Sequence, residues 1–140
     1  MQSSQVGCRH LIRIQRGEEI VSSLTAYLRE KSIRCGAISG IGAASRVTLR
    51  YYDMQTKEYV GKKFEGEFEI ASMTGNISVT NGVIRPHVHI VLGDTEYRCF
   101  GGHLESAIVC VTCEVIVSEI DKELPRSLDK ETGLQLWDLS

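Results

Sequence analysis

The chain has 140 residues, 24% of them charged, with 16 Lys+Arg against 18 Asp+Glu and a formal net charge of −2. That length suits one domain, 1–140, with room for a substantial core, and the charge balance provides no global attraction to phosphate. No run approaches the roughly 18 apolar residues of a membrane span, and the first residues lack the basic-then-apolar pattern of an export signal, so no membrane association and a cytoplasmic location are expected.

In chain order, residues 11–14 read as a short opening strand. Gly17, Glu18 and Glu19 open a helix, placing carboxylates in its first turn where the macrodipole favours them. Ile20, Val21, Leu24, Tyr27 and Leu28 repeat at helical spacing and define one buried stripe. Arg29, Lys31 and Arg34 gather towards the helix end, with Gly36 just beyond as a stop signal. This is the one long helix the sequence offers, and its amphipathic pattern makes it a cover for a sheet.

Everything after Cys35 reads as strands: 37–40, 45–52, 58–64, 68–73, 76–80, a hairpin near residue 93, and 107–120. Asn81-Gly82 favours a tight hairpin turn. A strand-rich run after one helix points to an α+β fold, with a mainly antiparallel, barrel-like core and one long N-terminal helix packed on it. Gly40-Ile41-Gly42 is no dinucleotide fingerprint, because a strand follows it and no third glycine has the right spacing. The tail is polar until Leu134, Leu136, Trp137 and Leu139, which are expected to dock on the body or on a neighbouring subunit.

Five cysteines and no export signal argue for reduced thiols. Cys110 and Cys113 have Cys-x-x-Cys spacing but lie in an apolar, β-branched run. Residues three apart on a strand face opposite ways, and a redox motif would instead begin a helix, so these are core cysteines.

The chemistry concentrates between Arg85 and Glu105, which holds three of the four histidines. Val88, Ile90 and Leu92 alternate as a strand with one buried face. His87 and His89 therefore project together from the other face, with Cα atoms roughly 7 Å apart. The turn at Gly93-Asp94 returns the chain as a second short strand, 97–100, and delivers Gly101, Gly102 and His103. The two glycines allow a bend or a close backbone approach. Three neutral imidazoles suit zinc or a similar divalent transition metal, one per chain, and leave a fourth position for water or ligand.

Pro86-His87-Val88-His89-Ile90 followed by Gly101-Gly102-His103-Leu104 resembles the signature of the PPC, or plants and prokaryotes conserved, domain family. Other segments agree in order: Gly40-Ile41-Gly42 before a strand ending Tyr51-Tyr52-Asp53, the run from Phe68 to Asn76, Arg126 to Asp129, and Thr132-Gly133-Leu134. The resemblance covers nearly the whole chain. It implies a compact α/β domain assembling as a homotrimer, with His87, His89 and His103 as a metal-binding unit.

Two functions follow from that resemblance. Family members are often labelled DNA-binding and occur in plant nuclear proteins beside AT-hook segments, but this chain has no Arg-Gly-Arg-Pro-type hook. Arg46, Thr48 and Arg50 share a strand face, and with Lys57, Lys62 and Lys63 they are the residues a DNA contact would need. With this net charge, direct nucleic-acid binding is not expected at physiological salt. The family fold is also similar to that of acetolactate decarboxylase, a zinc enzyme that holds its metal with a His-x-His pair and a later histidine. That likeness implies a metal site that binds or transforms a small oxyanionic ligand, with Glu69, Glu105 and Arg85 as candidate proton shuttle or anchor.

Overall fold

The computed structural model describes residues 1–140. In chain order the elements are β1 (Gln2–Val6), β2 (Arg9–Gln15), α1 (Ile20–Glu30), β3 (Gly36–Asp53), β4 (Glu58–Phe64), β5 (Phe68–Thr80), β6 (Val83–Gly93), β7 (Cys99–Glu119), β8 (Arg126–Leu128) and β9 (Gln135–Trp137). The first seven strands form one sheet in the order β1-β2-β7-β6-β5-β3-β4, and an extra β7–β3 ladder closes the path β3-β5-β6-β7 on itself. All of these ladders are antiparallel. β8 and β9 make a separate small hairpin.

The sheet is mostly antiparallel, but the expectation of one long helix is overturned: α1 has 11 residues. Both ends of the misreading have a physical cause. At the start, Glu19 does not belong to the first turn. It is the N-cap, and its carboxylate accepts from the Val21 and Ser22 N–H groups at 2.9 and 2.6 Å. The same carboxylate accepts from the Ala107 N–H at 3.0 Å, so the cap also fixes the helix to β7. At the other end, Ser32 turns left-handed (φ 57°), well before Gly36. Ile33 N–H then bonds Leu28 C=O at 2.9 Å and Ser32 N–H bonds Arg29 C=O at 3.1 Å, a paired closure of the last carbonyls. Ile33 is buried after this reversal, so it continues the apolar stripe in sequence without continuing the helix.

Several short strands of the sequence reading merge into long ones. Residues 37–40 and 45–52 are halves of the 18-residue β3, joined through a register shift between Gly40 and Gly42. The region 97–120 contributes the 21-residue β7. Long strands can bend at such irregularities and serve two neighbours, as β7 does with β2 and β6. β1 went unread because its five residues are all exposed and carry no apolar alternation.

The core is one cluster of 25 buried residues drawn from α1, Ile33 just after it and the sheet, with Ile14, Leu24, Leu28, Met73, Ile77 and Leu92 fully enclosed. Cys113 belongs to it, and burial, with Glu114 adding, pushes its thiol up to about 12. No cysteine is paired. No helix is long and apolar enough to cross a membrane.

Candidate metal centre

The site is built on the β6–β7 hairpin. Val88, Ile90 and Leu92 point into the core from β6, so His87 and His89 lie on its other face. The antiparallel register sets His89 directly opposite His103 on β7. On its other side β6 pairs with β5, which places Asn76 opposite His87 and Thr74 opposite His89. Three imidazoles thus meet because two are two residues apart on one strand and the third is a cross-strand partner.

Glycines let the strands close tightly around this point. A Cβ at Gly75 would stand 2.3 Å from the His87 carbonyl oxygen, and one at Gly101 would stand 2.3 Å from the Ile90 carbonyl oxygen. Both therefore press on the β6 backbone from opposite sides. Gly102 is tight as well, with 3.1 Å to the Arg50 carbonyl oxygen. Of the two roles open to the glycines before His103, close approach is the one used, and neither adopts a positive φ.

One nitrogen from each of the three rings lies within 4.8 Å of the others. The ring centroids are 5.0 to 5.6 Å apart. His87 Nε2 and His89 Nε2 are 3.2 Å apart. An ion with nitrogens at about 2.0–2.1 Å in tetrahedral geometry would separate them by about 3.3–3.4 Å, so the pair already has nearly the required span. His103 Nδ1 is buried with no hydrogen-bond partner. An unpartnered buried nitrogen is costly unless something outside the chain satisfies it. The donor set, its spacing and this orphaned atom all fit a transition metal of the zinc class.

The electrostatics favour the neutral form of His87 and His103, which is the form that binds metal. Burial, then the neighbouring His103, Arg126 and His89, hold the His87 pKa down to about 4. His103 is also lowered, first by burial and then by His89 and Arg50, with Glu105 opposing.

The other candidates from the sequence separate. Glu105 is two residues from His103 and is bound in a two-point ion pair to Arg50. Arg85, two residues from His87, is exposed and makes no side-chain hydrogen bond or ion pair. Glu69 sits opposite Gly93, five residues along β5 from the partner of His89, or roughly 17 Å away, and is not brought to the site.

Three neighbours were not read as site residues from the sequence. Tyr59 on β4 has its ring centroid 5.4 Å from that of His103, in a tilted contact, and 5.0 Å from that of Tyr52, edge-on. Asn76 is placed by its register with His87. Arg126, at the start of β8, puts Nη2 3.4 Å from His87 Nδ1. Only the ordering of family-like segments pointed towards Arg126, since no local periodicity does.

A small, mostly antiparallel domain with a three-histidine cluster on one hairpin is the class that fold and site define. The chain belongs to the Plants and Prokaryotes Conserved (PCC) domain family, whose pattern matches residues 1–121. A Bacteroides thetaiotaomicron protein, provisionally described as DNA-binding, is 36% identical with a TM-score of 0.95, covering 98% of this chain and 96% of its own. A metal-containing protein from Archaeoglobus fulgidus is 39% identical with a TM-score of 0.88, covering 95% and 94%. Among curated relatives, the bifunctional protein GlmU of a Synechococcus strain is 27% identical over 87% of this chain, which spans 19% of that protein's length. Acetolactate decarboxylase from Bacillus subtilis, at 18% identity and a TM-score of 0.56 over 83% of this chain and 54% of its own, shares the fold alone.

Proposed function

We propose that this chain is a metal-binding protein that works as a homotrimer, holds one zinc-type ion per chain on His87, His89 and His103, and takes a small oxyanionic ligand there. The observation that carries the reading is the convergence of three imidazole nitrogens within 4.8 Å, on residues that give one another no complete set of hydrogen bonds. The metal-containing relative supports it. When bound, such an ion supplies a Lewis acid that polarises a ligand oxygen. The chain's part is to hold three lone pairs in place, keep His87 and His103 neutral and wall the position with Tyr59 and Arg126.

Assembly is supported by an uncovered apolar face. Leu11, Ile41 and Ile116 are exposed yet line one shallow groove of about 690 Å³ across β1, β2, β7 and β3. Grouped apolar side chains of this kind are ordinarily covered by another protein surface. A cyclic trimer would cover it in each chain.

The competing reading is direct DNA binding, favoured by the description of the Bacteroides relative. Arg46, Thr48 and Lys63 do line one small pocket on β3 and β4. Arg50, however, is committed to Glu105, and Lys62 lies over the Phe64 ring at 5.1 Å. The chain as a whole has a net charge of −2, so it offers duplex DNA no global attraction.

One set of experiments separates these readings. Protein purified without a histidine tag is dialysed against zinc, sized by light scattering and titrated with duplex DNA across a salt series. The proposal expects one zinc per chain, a mass three times 15.6 kDa, and no duplex binding at physiological salt. Salt-sensitive duplex binding that survives replacement of all three histidines would overturn it.

A further inference from the structure

We propose that Arg126 and His87 together form a site for a small oxyanion, coupled to the metal position. The inference rests on the three-histidine reading above and adds a residue that lies beyond the family-matched segment.

Arg126 is held with unusual completeness for a surface hairpin residue. Its Nε donates to Ser78 Oγ at 2.6 Å, Nη1 to the Gln135 carbonyl at 2.7 Å, and Nη2 to Asn76 Oδ1 at 3.0 Å. All three acceptors are neutral, and no carboxylate lies within ion-pair distance of the guanidinium. The nearest acid to the histidines, Glu105, is already taken by Arg50. Arg126 is therefore a half-buried cation with a fixed orientation and no counter-charge. Such a group is stabilised by an anion from solution.

The contact with His87 shows where that anion would sit. Nη2 faces His87 Nδ1 at 3.4 Å, while His87 Nε2 faces His89. If Nε2 is the ligand atom, a neutral ring must carry its proton on Nδ1. Nδ1–H and the arginine N–H would then point at each other with no acceptor between them. Metal-binding histidines ordinarily donate their second N–H to an acceptor, and here the chain supplies none. An oxyanion oxygen about 2.8 Å from both nitrogens closes the triangle and satisfies both donors. Without it, Arg126 favours the tautomer whose Nε2 carries the proton and works against metal binding.

Metal and anion must then strengthen each other's binding by the same factor. The test titrates metal-free full-length chain with Co²⁺, read by visible absorption, in sodium acetate, sodium sulfate or sodium chloride at one ionic strength. In the wild type, acetate should tighten Co²⁺ binding about tenfold relative to chloride. Arg126→Met should bind Co²⁺ in chloride at least as tightly as wild type and show no acetate effect. Because the methionine variant can loosen the β8–β9 hairpin, Arg126→Lys serves as a second variant, keeping the charge without the planar fork, and should lose most of the effect. An acetate effect that persists in both variants, or is absent in a wild type that binds Co²⁺, overturns the proposal. Sulfate should tighten Co²⁺ binding in the wild type likewise and lose that effect in both variants. Failure of the wild type to bind Co²⁺ in every buffer removes the three-histidine reading, and this inference with it.

Discussion

The fourth histidine provides a contrast with the other three. His10 is 1% exposed on β2, and both of its ring nitrogens are answered: Nδ1 meets the Tyr27 hydroxyl at 3.1 Å and Nε2 meets Glu119 Oε2 at 3.2 Å. It ties β2, α1 and β7 together and has nothing left to bind. In the hairpin cluster His87 and His89 face each other, His103 Nδ1 has no partner, and the one group from outside the trio within hydrogen-bond reach of a ring nitrogen, Arg126, is a donor. A structural histidine is closed by complementary groups. The cluster keeps its nitrogens aimed at a common point, with few acceptors, which is what a ligand set requires.

The largest effect should come from breaking the open cluster. His103→Ala is expected to weaken zinc binding by about a thousandfold, roughly 4 kcal/mol, while leaving the melting temperature of the metal-free protein nearly unchanged. Dialysis and thermal melts on the same sample would check both halves.

Next is the backbone that holds the cluster. Gly101→Ala forces a Cβ against the Ile90 carbonyl and should destabilise the fold by about 3 kcal/mol, measured by urea unfolding. Zinc binding should weaken as well, since the strand carrying His89 must shift.

Closing the comparison from the other side, His10→Ala should cost about 2 kcal/mol of stability through the lost packing and the unpaired Tyr27 and Glu119 groups. Zinc affinity should be unaffected. A loss of zinc binding without a loss of stability would reverse the assignment of the two histidine classes.

A pH dependence completes the comparison. His87 is held at about 4 in the fold, first by burial, against an ordinary value of 6.5. Between those values the unfolded chain binds more protons than the folded one. The stability associated with neutral His87 is therefore complete above about pH 6.5 and is lost as pH falls towards 4. Metal-free wild type should lose melting temperature across that window more steeply than His87→Gln.

How much of this was legible in sequence follows from the range of the interactions involved. The alternation of Val88, Ile90 and Leu92 fixed the faces of β6, and the turn at Gly93 brought His103 back, so the trio could be read from local pattern. The glycine pair before His103 allowed either a bend or a close approach, and only the ladder with β6 selects the close approach at Gly101. The helix was overextended because the basic residues up to Arg34 and the stop signal at Gly36 marked its end, whereas Ser32 has already reversed the chain. No local pattern gives Arg126 its role, because its position depends on a hairpin that folds back onto Asn76 and Ser78 on β5, about 50 residues away in sequence. Glu69 failed for the complementary reason: it lies near the histidines in the chain but at the far end of its ladder.

The central claim is that the three hairpin imidazoles share one ion. Anomalous diffraction at the zinc edge, from crystals of untagged protein grown near neutral pH with zinc, tests it most directly. The account predicts one peak per chain between His87, His89 and His103, with nitrogen distances of about 2.0–2.1 Å. A His103 ring turned away from the other two, or a zinc peak elsewhere with none at the cluster, would contradict it.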